Sequence, residues 1–160
     1  MIAEKIVLLR HFNVALVNLW WEDISFWSNT HSQDKAIDTL ENIDSGSDIL
    51  AAVDDDMHLL AVSSYMIITS KLRLSMLKNI PKEIIPPELQ SIIRKTGVLF
   101  IYRLAGCGAG GGKEIIEEIK NVSREQGTPI YLNSSDVAMT FYEHMGFSKI
   151  GDTNHYYWIE

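Results

Sequence analysis

The stretch Leu104-Ala-Gly-Cys-Gly-Ala-Gly-Gly-Gly-Lys113 holds five of the ten glycines in the chain. An apolar run, Val98 to Leu104, leads into it, and an amphipathic run, Lys113 to Glu125, leads out. Strand, glycine loop and helix in that order offer main-chain N–H groups and a helix N-terminus to an anion, usually a phosphate. Glycine suits such a loop because the backbone must turn tightly and let a ligand approach with no Cβ in the way. A flexible linker would also be glycine-rich, but linkers are rarely framed by a buried strand and an amphipathic helix.

The remaining residues narrow the choice of anion. A chain of 160 residues fits one domain with a real core. A net charge of −7 argues against a general nucleic-acid binder, which needs a basic face. It leaves room for a polyanionic cofactor held by N–H groups and one or two local cations. The single cysteine, Cys107, excludes an intrachain disulfide and a multi-cysteine zinc site, so a reducing, cytoplasmic setting is the expectation. No signal peptide is expected, because Glu4 lies in the would-be basic region and no small-residue cleavage site follows an apolar core. The apolar runs fall short of a membrane span, so neither a membrane nor a nucleic acid is expected as a partner.

In chain order, Lys5 to Phe12 reads as a first strand. Asn13 is the N-cap of a helix with apolar residues at Leu16, Leu19, Trp20 and Ile24. Trp20, Trp21, Phe26 and Trp27 form an aromatic cluster, read as core packing or as the wall of a substrate pocket. Ser32 to Ile43 reads as a second helix, capped by Thr30 or Ser32. Ile49 to Val53 and Leu59 to Thr69 read as an antiparallel hairpin joined at Asp54-Asp55-Asp56. Those aspartates do not fit a calcium loop, which needs a glycine at its sixth position and a glutamate at its twelfth. From Lys71 to Lys95, with Pro81, Pro86 and Pro87, the chain reads as a long connection bordering the substrate site, with short helices at Leu72 to Leu77 and Glu88 to Arg94. After the glycine loop, Ile115, Ile116, Ile119 and Val122 line one face of a helix, and Glu114, Glu117, Glu118 and Lys120 take the other. Gly127 and Pro129 end it, and Pro129 to Asn133 is a core strand. Ser134 or Ser135 caps a short helix with Ala138, Phe141, Tyr142 and Met145 buried, and Ile150 to Ile159 gives the last one or two strands. Hairpin strands first and strand–helix–strand units later imply one α/β domain over residues 1–160 with a mixed sheet.

Spacing tests three phosphate binders. A P-loop, G-x-x-x-x-G-K-[ST], matches Gly112-Lys113, but Cys107 replaces its first glycine and Glu114 its hydroxyl residue. A dinucleotide fingerprint, G-x-G-x-x-G, fits Gly106, Gly108 and Gly111, but too little chain follows for further parallel strands, and no acid closes the next strand. The third reading uses Gly110-Gly-Gly112-Lys-Glu-Ile-Ile116 together with Ser135-Asp-Val-Ala138-Met-Thr-Phe141-Tyr142-Glu-His-Met-Gly146-Phe147. Together these resemble the GNAT N-acetyltransferase superfamily, from about Val98 to the C-terminus.

That resemblance implies a single-domain fold with a mixed central sheet of about six to seven strands and helices on both faces. It implies acetyl-CoA as cosubstrate, its pyrophosphate on the N–H groups of Gly108, Ala109, Gly110, Gly111 and Gly112, with Lys113 nearby and Ser135 at the motif's asparagine position. Cys107 stands where the motif carries Gln or Arg, which removes one phosphate contact. Acetyl transfer needs a neutral amine, hydrogen bonds to the oxyanion and a proton for the leaving thiolate. By resemblance Tyr142 binds the cofactor, its hydroxyl near the CoA sulfur, and is that acid, and main-chain N–H groups around Tyr102 to Leu104 meet the acyl oxygen where two parallel strands splay apart. The base stays open among His58, Asp54, Asp55, Asp56, Glu22 and His31. His144 is expected on the outer face of its helix, and Cys107 as a small loop residue. The implied activity is acetyl transfer from acetyl-CoA to a primary amine on a small molecule or peptide, and a homodimer is compatible with it. A non-catalytic CoA-binding sensor or partner module competes with it, and a nucleotide-binding regulatory domain rests on the glycine run alone.

Overall fold

The computed structural model describes residues 5–44, 46–69 and 85–160. The expected helix at Leu72 to Leu77 lies outside the described residues. Seven strands follow the sheet order β1-β2-β3-β4-β5-β7-β6. They are β1 (Val7–Leu9), β2 (Asp48–Val53), β3 (Leu59–Ile68), β4 (Val98–Gly106), β5 (Ile130–Asn133), β6 (Ser148–Lys149) and β7 (His155–Trp158). Five α-helices lie among the described residues: α1 (Val14–Ser25), α2 (Thr30–Glu41), α3 (Pro87–Thr96), α4 (Gly111–Gln126) and α5 (Met139–His144). The sheet is mixed: β4 and β5 run parallel, whereas β1–β2, β2–β3, β5–β7 and β6–β7 are antiparallel.

By packing, the chain falls into two compact units, residues 1–65 with 102–118 and residues 66–101 with 119–160. In the first unit, α1 and α2 cover one face of the β2–β3 hairpin. Trp20, Ile24, Ala36 and Leu40 meet Ile49, Ala51, Val53 and Val62 in a common core. Asn13 caps α1 as expected, accepting the Leu16 N–H at 2.8 Å. The cap of α2 is Asn29, not Thr30 or Ser32: its side chain accepts the Ser32 N–H at 3.0 Å. Asparagine competes well with serine and threonine at that position, and the helix starts earlier as a result. Trp20 and Trp27 are core residues, but Phe26 leaves the expected aromatic cluster and is 80% exposed at the C-cap of α1.

The hairpin turn is held to α1. Asp54 accepts the N–H groups of Asp56 and His58 at 2.9 and 3.0 Å. Asp23 accepts the Leu59 N–H at 2.8 Å and pairs with the His58 ring at 2.8 Å. The Trp20 indole donates to the Met57 carbonyl at 3.0 Å. These bonds hold Met57 at φ 67°, a left-handed conformation that costs a residue with a Cβ about 1–2 kcal/mol.

In the second unit, Pro87 opens α3 after Pro86, where a missing N–H costs nothing. Leu89 and Ile85 pack with Ile68, Val98, Tyr131 and Ile150. Lys120 departs from its expected place on the polar face of α4. It is only 8% exposed, its Nζ donates to the Met145 carbonyl, and it lies over the rings of Phe147 and Trp158 at 5.8 and 5.3 Å. A flexible stem lets a lysine cover apolar surface while its ammonium finds an acceptor. The last strands also differ in their bounds. β6 is a two-residue strand ending at Lys149, and Ile150 starts the turn into β7 rather than a strand.

Candidate functional site

The cradle is built on an irregularity in the hairpin. Ala52 faces Ala61 and Val53 faces Leu59, so Leu60 is an extra, bulged residue. The Leu60 carbonyl accepts the N–H of Cys107, just past the end of β4, at 3.0 Å. Bulges are over-represented beside active sites. Ser63 adds a second tie from β3, its hydroxyl donating to the Arg103 carbonyl at 2.7 Å. The end of β4, including half-buried Leu104, is fixed before the loop begins.

The glycines then do two different jobs. Gly108 and Gly110 have φ of +88° and +90°, which residues with a Cβ rarely adopt. They are exposed, as are Cys107 and Ala109 between and beside them. Gly111 is buried, and a Cβ there would come within 3.0 Å of Ala61 and Leu60 and 3.2 Å of Ala52. Its role is to seat the start of α4 against the sheet. The first intrahelical bond runs from the Glu114 N–H to the Gly110 carbonyl at 3.3 Å. The N–H groups of Gly111, Gly112 and Lys113 come before that bond, and such groups at a helix start have no partner within the helix. With the positive end of the helix dipole behind them, they suit an anion. Lys113 is exposed in this first turn. The helix is anchored by Ile115 and Ile116, both fully buried, each contributing roughly 1.5–3 kcal/mol relative to an exposed position.

The tyrosine segment belongs to the other unit. Ser135 stands at the N-cap of a single 3-10 turn, Asp136–Ala138, yet its side chain caps nothing. Its Oγ is buried with no hydrogen-bond partner among the described residues. Tyr142 follows on α5, 6% exposed, with Phe141, Phe147 and Tyr156 around its ring at 5.3, 5.6 and 6.2 Å. The spacing of Tyr142 and Gly146-Phe147 has a mechanical cause. Gly146 takes φ +87° after the helix, so the chain reverses and the Phe147 N–H returns to the Tyr142 carbonyl at 3.0 Å. That closure lays Phe147 against the tyrosine ring. Burial pushes the Tyr142 hydroxyl well above its ordinary value of 10.0, so it stays protonated through the neutral range. Its hydroxyl makes no hydrogen bond with the described residues. His144 lies exposed on α5.

The sequence-level candidates for the base are scattered. His58 and Asp54 are engaged in the hairpin turn, as above, while Glu22 and His31 are exposed on α1 and α2. Among the described residues no three His, Cys, Asp or Glu side chains are grouped to hold a metal ion. One polar pair escaped the sequence reading: the Tyr131 hydroxyl is hydrogen-bonded to Nδ1 of His155. The alternation of side chains along β5 and β7 was the signal, but it has meaning only once those strands are known to pair.

No protein-family profile matches the sequence, and no curated protein matches it. Solved structures do. A protein from Exiguobacterium assigned to the acetyltransferases superposes with a TM-score of 0.62 at 14% identity, covering 96% of this chain and 93% of that one. A GNAT-family acetyltransferase from Staphylococcus aureus does so with a TM-score of 0.58 at 15% identity, over 96% and 97%. The N-acetyltransferase YlbP of Bacillus subtilis, solved with coenzyme A, gives 0.55 at 14% identity, over 98% and 97%. The chain therefore has the mixed α/β fold of these solved structures. Specifically, it is the fold of the GNAT N-acetyltransferases.

Proposed function

We propose that this protein is an N-acetyltransferase that moves the acetyl group of acetyl-CoA directly to a primary amine. The observation that carries the reading is the cradle: two left-handed glycines on a loop tied to a strand bulge, opening into a helix start with spare N–H groups. Those donors fit the pyrophosphate of coenzyme A. Gly108, Ala109, Gly110, Gly111, Gly112 and Lys113 would hold it, and Leu104 precedes them on the strand that presents N–H groups to the acyl oxygen. The orphaned hydroxyl of Ser135 also fits a polar cofactor, because a buried hydroxyl without a partner costs about 1–3 kcal/mol. When bound, acetyl-CoA supplies an activated thioester. Tyr142, protonated and without a hydrogen bond to the described residues, is assigned the role of donating a proton to the leaving thiolate. The fold neighbour solved with coenzyme A supports this cofactor class.

A second reading is favoured by exposed Cys107, at the position where the loop motif carries a phosphate-binding Gln or Arg. In that reading the chain binds CoA as a sensor or partner module and transfers nothing. Thermal unfolding with CoA, acetyl-CoA, NAD and ATP tests the cofactor. Selective stabilisation by the CoA compounds is expected, and none with either would sink the cofactor assignment. Turnover of Tyr142→Phe then separates catalyst from module: a fall with CoA binding retained is expected of the enzyme.

A further inference from the structure

The pair formed by Tyr131 and His155 sits wholly within the second unit and has no role in what precedes. Its place is informative. The β4–β5 register ends at Ile101 opposite Leu132, and Asn133, the last residue of β5, faces His155 on β7. The pair thus stands at the carboxyl end of the parallel strands, the end at which open α/β sheets receive ligands. Tyr131 is 1% exposed and stacked on Phe100 at 5.7 Å with an interplanar angle of 21°. That stack fixes its hydroxyl. His155 is half-buried, with its main-chain N–H on the Thr153 hydroxyl at 3.1 Å and its carbonyl taking the Ile150 N–H at 2.9 Å. A rigid tyrosine holding Nδ1 of a partly open imidazole is how one ring nitrogen is committed so that the other is left for chemistry.

We propose that His155, oriented by the Tyr131 hydroxyl, accepts the proton of the acceptor ammonium. This rests on the acetyltransferase reading. With Nδ1–H donating to the tyrosine oxygen, Nε2 carries the lone pair. It takes one proton from R–NH3⁺, giving imidazolium and a free amine. The amine attacks the thioester carbonyl, forming the C–N bond. The C–S bond then breaks as Tyr142 gives its proton to the departing thiolate, which leaves as a thiol, and the second proton lost from the nitrogen restores the phenol. His155 returns its proton to water. Tyr131 from β5 lies against the ring, Tyr157 follows two residues along the same strand, and the preceding turn carries Thr153, which accepts the main-chain N–H, and Asn154. Asn154 in turn holds Asp136 at 2.6 Å. Burial lowers the imidazole below its ordinary 6.5, so it is neutral at physiological pH.

Two measurements on the full chain test it. Long-range 1H–15N NMR at pH 7 should show His155 neutral, with its proton on Nδ1; a proton on Nε2 or a charged ring overturns the proposal. CoA-thiol release is then followed with acetyl-CoA and spermidine, tobramycin or L-methioninamide. His155→Gln should lower kcat/KM about 100-fold at pH 7 and abolish the acid limb of the pH profile. Tyr131→Phe should lower kcat several-fold and move that limb, with KM for acetyl-CoA unchanged. An unchanged rate, or an acid limb that survives His155→Gln, overturns the assignment. If none of the three amines is a substrate, the tautomer decides. Calorimetry of the wild-type chain with CoA separates the two levels: absent CoA binding removes the acetyltransferase reading, whatever the tautomer.

Discussion

In the glycine loop, the groups proposed to hold an anion are main-chain N–H atoms, and the side chains matter by their absence. In the segment from Ser135 to Phe147 the reverse holds: one phenol is placed by three surrounding rings and a helix end. The first kind of site is sensitive to a Cβ added at Gly108, Gly110 or Gly111, while its main-chain donors need no particular side chain. The second tolerates backbone adjustment but not the loss of a single oxygen. A function that uses both can fail in one and keep the other, which makes them separable by mutation.

The largest expected effect breaks the cradle at its seat. Gly111→Val should destabilise the fold by about 3 kcal/mol, since three Cβ atoms of β2 and β3 already stand at contact distance; chemical denaturation of the purified variant checks it. Tyr142→Phe should leave unfolding and CoA affinity nearly unchanged while slowing turnover about 50- to 100-fold, a loss of roughly 2.5 kcal/mol in transition-state stabilisation. Should CoA affinity fall in parallel, the phenol would be a cofactor ligand and the contrast between the regions would weaken. Gly110→Ala is milder than Gly111→Val, because the nearest atom to its added Cβ is the Ile6 Cδ1 at 3.7 Å and only the left-handed φ opposes it. A loss of about 1–2 kcal/mol in stability is expected, with weaker CoA binding by calorimetry. Lys113→Ala should weaken CoA about three-fold at low salt and hardly at all at high salt, as suits an exposed cation.

The smallest effect tests the hairpin that carries the bulge. The hydrogen bond and charge of Asp23, with Asp54 and Asp56 nearby, raise the His58 imidazole above its ordinary 6.5. A raised pKa in the folded state means that this stabilisation is full below pH about 6.5 and fades as pH rises through the folded value. The difference in melting temperature between the wild type and His58→Gln should therefore shrink from pH 5.5 toward pH 8.5. A difference that grows with pH would remove the charged pair as its cause.

The elements with strong period were legible in the chain: α1, the β2–β3 hairpin and the isoleucine face of α4 follow from spacing alone. The tyrosine closure was legible because helix, glycine and phenylalanine are neighbours in sequence. What stayed hidden depends on contacts between distant residues. Lys120 reads as a surface lysine until Met145, Phe147 and Trp158 surround it. Leu60 reads as one more strand residue until its register with Ala52 and Val53 exposes the bulge. Tyr131 and His155 are 24 residues apart and meet only through the pairing of β5 with β7. Even the glycines, equal in the sequence, divide into turning and seating positions only once Ala52 and Ala61 lie beneath Gly111.

That division bears on how the loop can change. Variation is closed at Gly108, Gly110 and Gly111, two by backbone conformation and one by contact. It is open at Cys107 and Ala109, whose φ angles are ordinary and whose side chains are exposed. A single substitution at position 107 to arginine or glutamine would add a phosphate-directed side chain without disturbing the scaffold. On the proposed function, the phosphate affinity of this cradle can thus drift or be restored through one codon, while its shape stays fixed by the sheet beneath.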